Sequence, residues 1–339
     1  MKRTASIFAA LVMAVSSAYA QPNTKLRPDE TVLLYSDSFD GNIDAVYGEK
    51  IIYAGFEMTE ANGLAGSETL PANGNLGNIS DLARCDLYFP KKPNGQMVIV
   101  CPGGGYGIVS SYNEGTYVAD WFLSKGITVC VVKYRLPNGH WEVPLADVQN
   151  ALRYCRAHAQ EWGVDQIGVM GFSAGGHLAA SATNLYVDDV TRPDFSILIY
   201  PVISLEHGIT HEGTRSRLIG KDEIWNDKDV KVTEYEAAQN KHAELLKHYT
   251  LQNQITENTP TSFIAHCTDD TVVPVANSIN YYMRLLDCKV PVEMHIFPKG
   301  GHGWGFSSEK FKGKGNDVFS YARPQFEASL ERWLKDLRK

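Results

Sequence analysis

The chain has 339 residues, 44% hydrophobic and 21% charged, with a formal net charge of −7. That length can bury a large core, and the acidic balance argues against a nucleic-acid backbone as partner because like charges would meet across the contact.

The first stretch, MKRTASIFAALVMAVSSAYA, places Lys2 and Arg3 before an apolar run and ends in Ala18-Tyr19-Ala20, the small-x-small pattern of a secretory cleavage site. Residues 1–20 therefore read as a signal peptide outside the fold. The run is too short and interrupted for a membrane span, and no other stretch approaches the roughly 20 apolar residues that a spanning helix needs. No cysteine precedes Cys85, so none stands near the cleavage site to take a lipid. An exported protein, periplasmic or secreted, is expected, with residues 21–339 as one domain.

Residues 21–95 are rich in Gly, Asn and Asp, with weak alternation in KIIYAGFEM (50–58) and CDLYF (85–89). They read as an N-terminal extension with antiparallel edge strands. From Gln96 onward short apolar runs recur: MVIVC (97–101), TVCVVKY (128–134), QIGVMGF (166–172), FSILIYP (195–201), TSFIAHC (261–267) and VEMHIFP (292–298). Between most of them lie amphipathic stretches such as 115–126, 144–163 and 277–288. Continuous apolar strands alternating with helices predict a doubly wound α/β architecture, a mostly parallel sheet with helices on both faces. Residues 204–259 are polar and interrupt this rhythm, with a helix-like AAQNKHAELLKHY inside. They read as an insertion overhanging the carboxyl ends of the strands, where α/β proteins bind ligands. The basic ERWLKDLRK closes the chain as a C-terminal helix. Cys101, Cys130 and Cys267 sit in strand-like runs where small buried thiols are expected. Any disulfide that an oxidising compartment permits would draw on Cys85, Cys155 and Cys288.

The segment GFSAGGHLAA (171–180) surrounds one serine with glycines between a strand and a helix. This G-x-S-x-G in a strand–turn–helix context predicts Ser173 at the tip of a sharp elbow, with its hydroxyl presented as a nucleophile. The alternative is a glycine-rich turn whose serine caps the helix. A serine hydroxyl needs a base to take its proton and donors to receive the oxyanion. His302, in PKGGHGWGF after the last strand, is the candidate base. His177 should pack within the helix, His266 and His295 lie in strand runs, and His140, His207 and His211 fall in loops where nothing ranks them. The orienting acid should follow the preceding strand, where Asp269 and Asp270 stand together; Asp269, first off the strand, is favoured. The order Ser173, Asp269, His302 is the α/β-hydrolase order.

The oxyanion donors expected are the amide of Ala174 and those of Gly104 and Gly105, in the PGGGY turn (102–106) after MVIVC. No Gly-Lys-Ser/Thr follows that turn, which argues against a phosphate cradle. Tyr106 and Trp304, beside the expected oxyanion turn and base, are candidate substrate contacts, with plain packing as the alternative. No metal-ligand cluster stands out, and no cofactor is implied.

PGGGY, Asn113-Glu114-Gly115, KYRLP (133–137), GFSAGGHLAA, HEGTRSRLIG (211–220), TDDTVVP (268–274) and KGGHGWGF (299–306) together resemble the exported bacterial α/β-hydrolases of the acetyl xylan esterase and bifunctional acetyl and feruloyl esterase kind. The resemblance spans roughly residues 60–310. It implies a serine carboxylesterase that removes acetyl, or feruloyl, groups from plant-cell-wall xylan or its oligosaccharides. By motif position, Ser173, Asp269 and His302 would be the triad and Gly104, Gly105 and Ala174 the oxyanion hole. A prolyl-oligopeptidase-like peptidase, a broad-specificity small-ester hydrolase and a non-catalytic carbohydrate-binding relative are the other readings. The peptidase would need room for a gating propeller that this length lacks.

Overall fold

A computed structural model describes residues 26–35, 68–72, 74–79, 83–220, 232–306 and 318–339. The expected signal peptide of residues 1–20 and the segment KIIYAGFEM lie outside the described residues.

Among the described residues, ten strands and seven α-helices follow one another in chain order. The strands are β1 (Glu30–Leu33), β2 (Asn75–Leu76), β3 (Arg84–Tyr88), β4 (Gln96–Cys101), β5 (Val109–Ser110), β6 (Thr128–Lys133), β7 (Gln166–Phe172), β8 (Phe195–Ile199), β9 (Thr261–Cys267) and β10 (Val292–Phe297). The helices are α1 (Tyr117–Leu123), α2 (Glu142–His158), α3 (Ser173–Asn184), α4 (Glu212–Ile219), α5 (Val232–Tyr249), α6 (Ala276–Asp287) and α7 (Arg323–Asp336). Eight strands form one sheet in the order β1-β3-β6-β4-β7-β8-β9-β10. β1 and β3 pair antiparallel at one edge, and every pairing from β6 to β10 is parallel. CDLYF thus supplies the antiparallel strand β3, whereas ETVL of β1 and the two-residue pair β2–β5 carry no sequence pattern that announces them.

Strand periodicity divides the core into two layers. Met97, Ile99 and Cys101 of β4 face a cluster that includes Val148 and Leu152 of α2, Leu178 of α3 and Tyr281 and Leu285 of α6. Val98 and Val100, one step out of phase, face Val118 and Phe122 of α1 and Phe326, Leu330 and Trp333 of α7. Alternate side chains of a strand point to opposite faces, so a run that is apolar at every position can be buried only when both faces are covered. All six cysteines are free thiols, including Cys85, Cys155 and Cys288. Among the described residues no helix is long and apolar enough to cross a membrane.

Candidate active site

Ser173 follows β7 directly and opens α3 with φ of +54°, a left-handed conformation that costs a non-glycine residue energy and needs support from its surroundings. The glycines explain how the chain tolerates it. A Cβ on Gly171 would lie 2.0 Å from the carbonyl oxygen of Gly175, and one on Gly175 would lie 2.1 Å from that of Cys101. The elbow therefore closes only where side chains are missing, and it presses β7 and α3 against the end of β4.

Three loops at the carboxyl ends of β4, β9 and β10 meet Ser173. His302 Nε2 lies 2.8 Å from Ser173 Oγ, and His302 Nδ1 lies 2.7 Å from Asp270 Oδ2. The carboxylate that reaches the imidazole is thus Asp270, which corrects the expectation of Asp269. The reason is local. Asp270 Oδ1 accepts the amides of Val272 and Val273, an aspartate turn that folds its side chain inward. Asp269 is exposed and accepts the amides of Gly300 and Gly301, so it holds the loop that carries His302 rather than the imidazole itself.

His266, which the sequence marks only as lying in a strand run, is a participant in the site. It projects from β9 toward α6, where Nδ1 accepts from the Ser278 hydroxyl at 2.7 Å. Its Nε2 donates toward Asp270 Oδ2 at 3.2 Å and the Val273 carbonyl at 3.0 Å. The carbonyl accepts only, so the ring proton must sit on Nε2. Burial opposes charge on Asp270, but hydrogen bonds from His266 and His302 and the backbone amides hold its carboxyl well below the usual carboxylate range. The spacing His266-x-x-x-Asp270, followed by Val273-Pro274, was the signal available for choosing between the two aspartates.

The glycine turn after β4 adjoins the elbow, for a Cβ on Gly103 would lie 3.0 Å from that of Ser173. Gly104 and Gly105 adopt positive φ angles of 129° and 62°. Their amides donate to no protein group among the described residues, while the Gly103 amide is taken by Glu114 Oε2 at 2.7 Å. Ala174 lies in the first turn of α3, where helical amides lack intrahelical acceptors. Gly103 thus adjoins Ser173, with Gly104 and Gly105 next in the same turn and Ala174 next in the helix.

The two aromatic candidates turn inward. Tyr106 is 2% exposed, and its hydroxyl meets His177 Nδ1 at 3.1 Å. His177 in turn donates from Nε2 to the Tyr249 carbonyl, and burial lowers its pKa to about 4. Trp304 is 6% exposed and stacks on Phe319 with ring centroids 3.8 Å apart. Packing, the alternative reading, claims both, and neither is presented to a substrate. The segment 204–259 instead brings His211, the N-cap of α4, against the glycine turn, since a Cβ on Gly105 would lie 3.3 Å from its Cε1. His211 Nδ1 accepts the Thr214 amide, which leaves Nε2 as the protonated nitrogen of the neutral ring. Burial, with the nearby His302 and Arg217, lowers its pKa and favours that neutral form. Arg217 donates to the Gly105 carbonyl at 3.0 Å.

The family described as BD-FAE matches residues 85–285. An acetylxylan esterase of Xylanibacter ruminicola is 34% identical over 77% of this chain and 50% of its own length. Endo-1,4-beta-xylanase B of Butyrivibrio fibrisolvens is 31% identical over 63% of this chain and 33% of its own. The chain thus spans half or less of these two curated relatives. Among solved structures, the acetyl ester-xyloside bifunctional hydrolase of Caldicellulosiruptor lactoaceticus is 31% identical with a TM-score of 0.60, covering 76% of this chain and 88% of that one.

Proposed function

From the premise that this chain belongs to the BD-FAE family and has the α/β-hydrolase fold, we propose that it is a serine carboxylic ester hydrolase that removes O-acetyl groups from xylan or its oligosaccharides. The observation that carries this reading is the unbroken chain from Ser173 Oγ through His302 to Asp270, with links of 2.8 and 2.7 Å. The acetylxylan esterase relative and the acetyl ester-xyloside hydrolase neighbour support the substrate class. Residues 21–339 act as one domain, and residues 1–20 direct its export.

The geometry supports a two-step acyl transfer. Asp270 accepts a hydrogen bond from Nδ1–H of His302, which holds the tautomer whose Nε2 is free to take the Ser173 proton as Oγ attacks the acyl carbon. The negative charge that forms on the former carbonyl oxygen is received by the amides of Gly104, Gly105 and Ala174. His302 returns the proton to the departing sugar oxygen as the C–O bond breaks, leaving an acyl-Ser173 ester. Water, deprotonated by His302, then adds to that ester and releases the acid. His211 Nε2–H donates to the alcohol part of the substrate at the lip of the site.

Mass spectrometry of acetylated and feruloylated xylo-oligosaccharides before and after incubation tests the reading, because it reports acyl group and position together. Loss of acetyl mass is expected. Ser173→Ala should fold and lower turnover of an aryl acetate by more than roughly 10³-fold; retention of more than about a few per cent of activity would remove Ser173 from its role.

A further inference from the structure

The segment Asn113-Glu114-Gly115 has no part in the chemistry above, yet it places a carboxylate directly beneath the site. It lies in a single π-helical turn, Tyr112–Thr116, between β5 and α1, an irregularity that recurs at functional sites. Glu114 is 5% exposed. Its Oε2 accepts the Gly103 amide at 2.7 Å, and its Oε1 accepts the Tyr200 hydroxyl at 2.9 Å. Tyr200, just after β8, accepts the Gly305 amide on the same hydroxyl at 2.9 Å, and its ring centroid lies 4.8 Å from that of His302. Asn113 reinforces the link, donating to the Gly303 carbonyl at 3.2 Å. One buried carboxylate therefore joins the turn that carries Gly104 and Gly105 to the loop that carries His302.

A buried carboxylate is costly, and a Glu used only to fill space would be replaced at less cost by an apolar residue. Burial raises its pKa, while Tyr200, the Gly103 amide and the charge of His302 pull it back. The groups facing it from the packed elements are Tyr200 after β8, Tyr134 after β6 and His302 after β10. The Tyr134 hydroxyl separately donates to the Pro102 carbonyl at 2.7 Å, so the Pro102–Gly103 peptide group at the start of the glycine turn is gripped at both its oxygen and its N–H. Engaging the Gly103 amide also removes it from competition for the oxyanion, so that its neighbours face the reacting carbonyl.

We propose that Glu114 and Tyr200 form a positioning pair that sets the oxyanion turn and the base loop at one fixed separation, so that the transition state finds its donors and its base aligned at once. This rests on the reading of Ser173 and His302 given above. Neither residue touches the substrate. Both act through Gly103, Gly305 and His302, so their removal affects the rate of acyl transfer more than ground-state binding.

The test compares the full chain with Ser173→Ala, Tyr200→Phe, Glu114→Gln and the Glu114→Gln/Tyr200→Phe double variant on an aryl acetate, measuring kcat, KM and Tm. Tyr200→Phe and Glu114→Gln should each lower kcat by roughly 10- to 100-fold, the range for partners that orient reacting groups, with KM within about threefold. The double variant should be within about threefold of the slower single one, because the two residues act as one link. A folded Tyr200→Phe whose kcat falls by less than about fivefold overturns the proposal, as do losses that multiply in the double variant or an effect confined to KM or Tm. Where Glu114→Gln does not fold, Tyr200→Phe, which loses one oxygen and keeps its packed ring, decides by kcat alone. Absence of turnover in the parent protein, or its persistence in Ser173→Ala, overturns the reading of the site itself and this inference with it.

Discussion

Two buried carboxylates flank His302, and the protein treats them in opposite ways. Asp270, after β9, accepts hydrogen bonds from His302, His266 and the amides of Val272 and Val273. Glu114, in the π-turn before α1, accepts hydrogen bonds from the Gly103 amide and the Tyr200 hydroxyl alone among the described residues. Burial pushes both toward the neutral acid, but four donors overcome it at Asp270 and two do not at Glu114, so one pKa is lowered and the other raised. The larger number of donors, together with the shallower burial of Asp270, separates a carboxylate that can support an imidazolium from one that braces the backbone.

The strongest way to break this comparison is to remove the charge at each neighbouring aspartate in turn. Asp270→Asn should lower kcat by roughly 10⁴-fold, because an amide can present a donor to Nδ1 and hold the imidazole in the wrong tautomer. Asp269→Asn keeps an oxygen for the Gly301 amide and should cost less than about fivefold. Equal losses at the two positions, measured on the same aryl acetate, would dissolve the distinction drawn from the geometry.

A smaller effect sharpens it. His266→Leu deletes one donor from Asp270 and leaves the Ser278 hydroxyl without its acceptor, and should lower kcat by roughly tenfold. His266→Gln, whose amide nitrogen can occupy the position of Nε2, should recover part of that loss. An unchanged kcat in His266→Leu would reduce His266 to a packing residue.

The smallest effect concerns acid stability rather than rate. His177 is held neutral by burial, with its pKa lowered to about 4 from an ordinary value near 6.5. Its folded pKa lies below the unfolded one, so the associated stability is complete above pH 6.5 and is lost progressively as pH falls toward about 4, by up to about 3 kcal/mol. Asp270, also depressed, adds its loss below about pH 4, where the unfolded carboxylate binds a proton first. Chemical denaturation between pH 7 and pH 4 should show the first decline in the parent chain and a flatter profile in His177→Leu. Parallel profiles would show that His177 does not titrate between the folded and unfolded states in this range.

The site was legible in the sequence where chemistry is local. GFSAGG announces the elbow because only glycine fits where Gly171 and Gly175 cross backbone, and His302 is marked by the glycines around it. The choice between Asp269 and Asp270 was not legible from order along the chain. Both leave the strand within one residue of each other, and which one turns inward depends on His266, Ser278 and two amides that only the folded loop assembles. Tyr106 and Trp304 mislead for a related reason: proximity in sequence to a reacting group says nothing about which side of the loop a ring occupies. Glu114 was visible as part of a motif, but its role depends on Tyr200, which is 86 residues away.

Taken by itself, the sequence determined the alternation of buried strands and amphipathic helices, the serine elbow and the order of nucleophile, acid loop and base. These follow from periodicity and turn chemistry, which act over a few residues. Tertiary structure alone decided which carboxylate meets His302, which aromatic rings are spent on packing and what holds the glycine turn in place. Those outcomes are set by contacts between distant segments, where hydrogen-bond partners and burial compete and no local pattern records the winner.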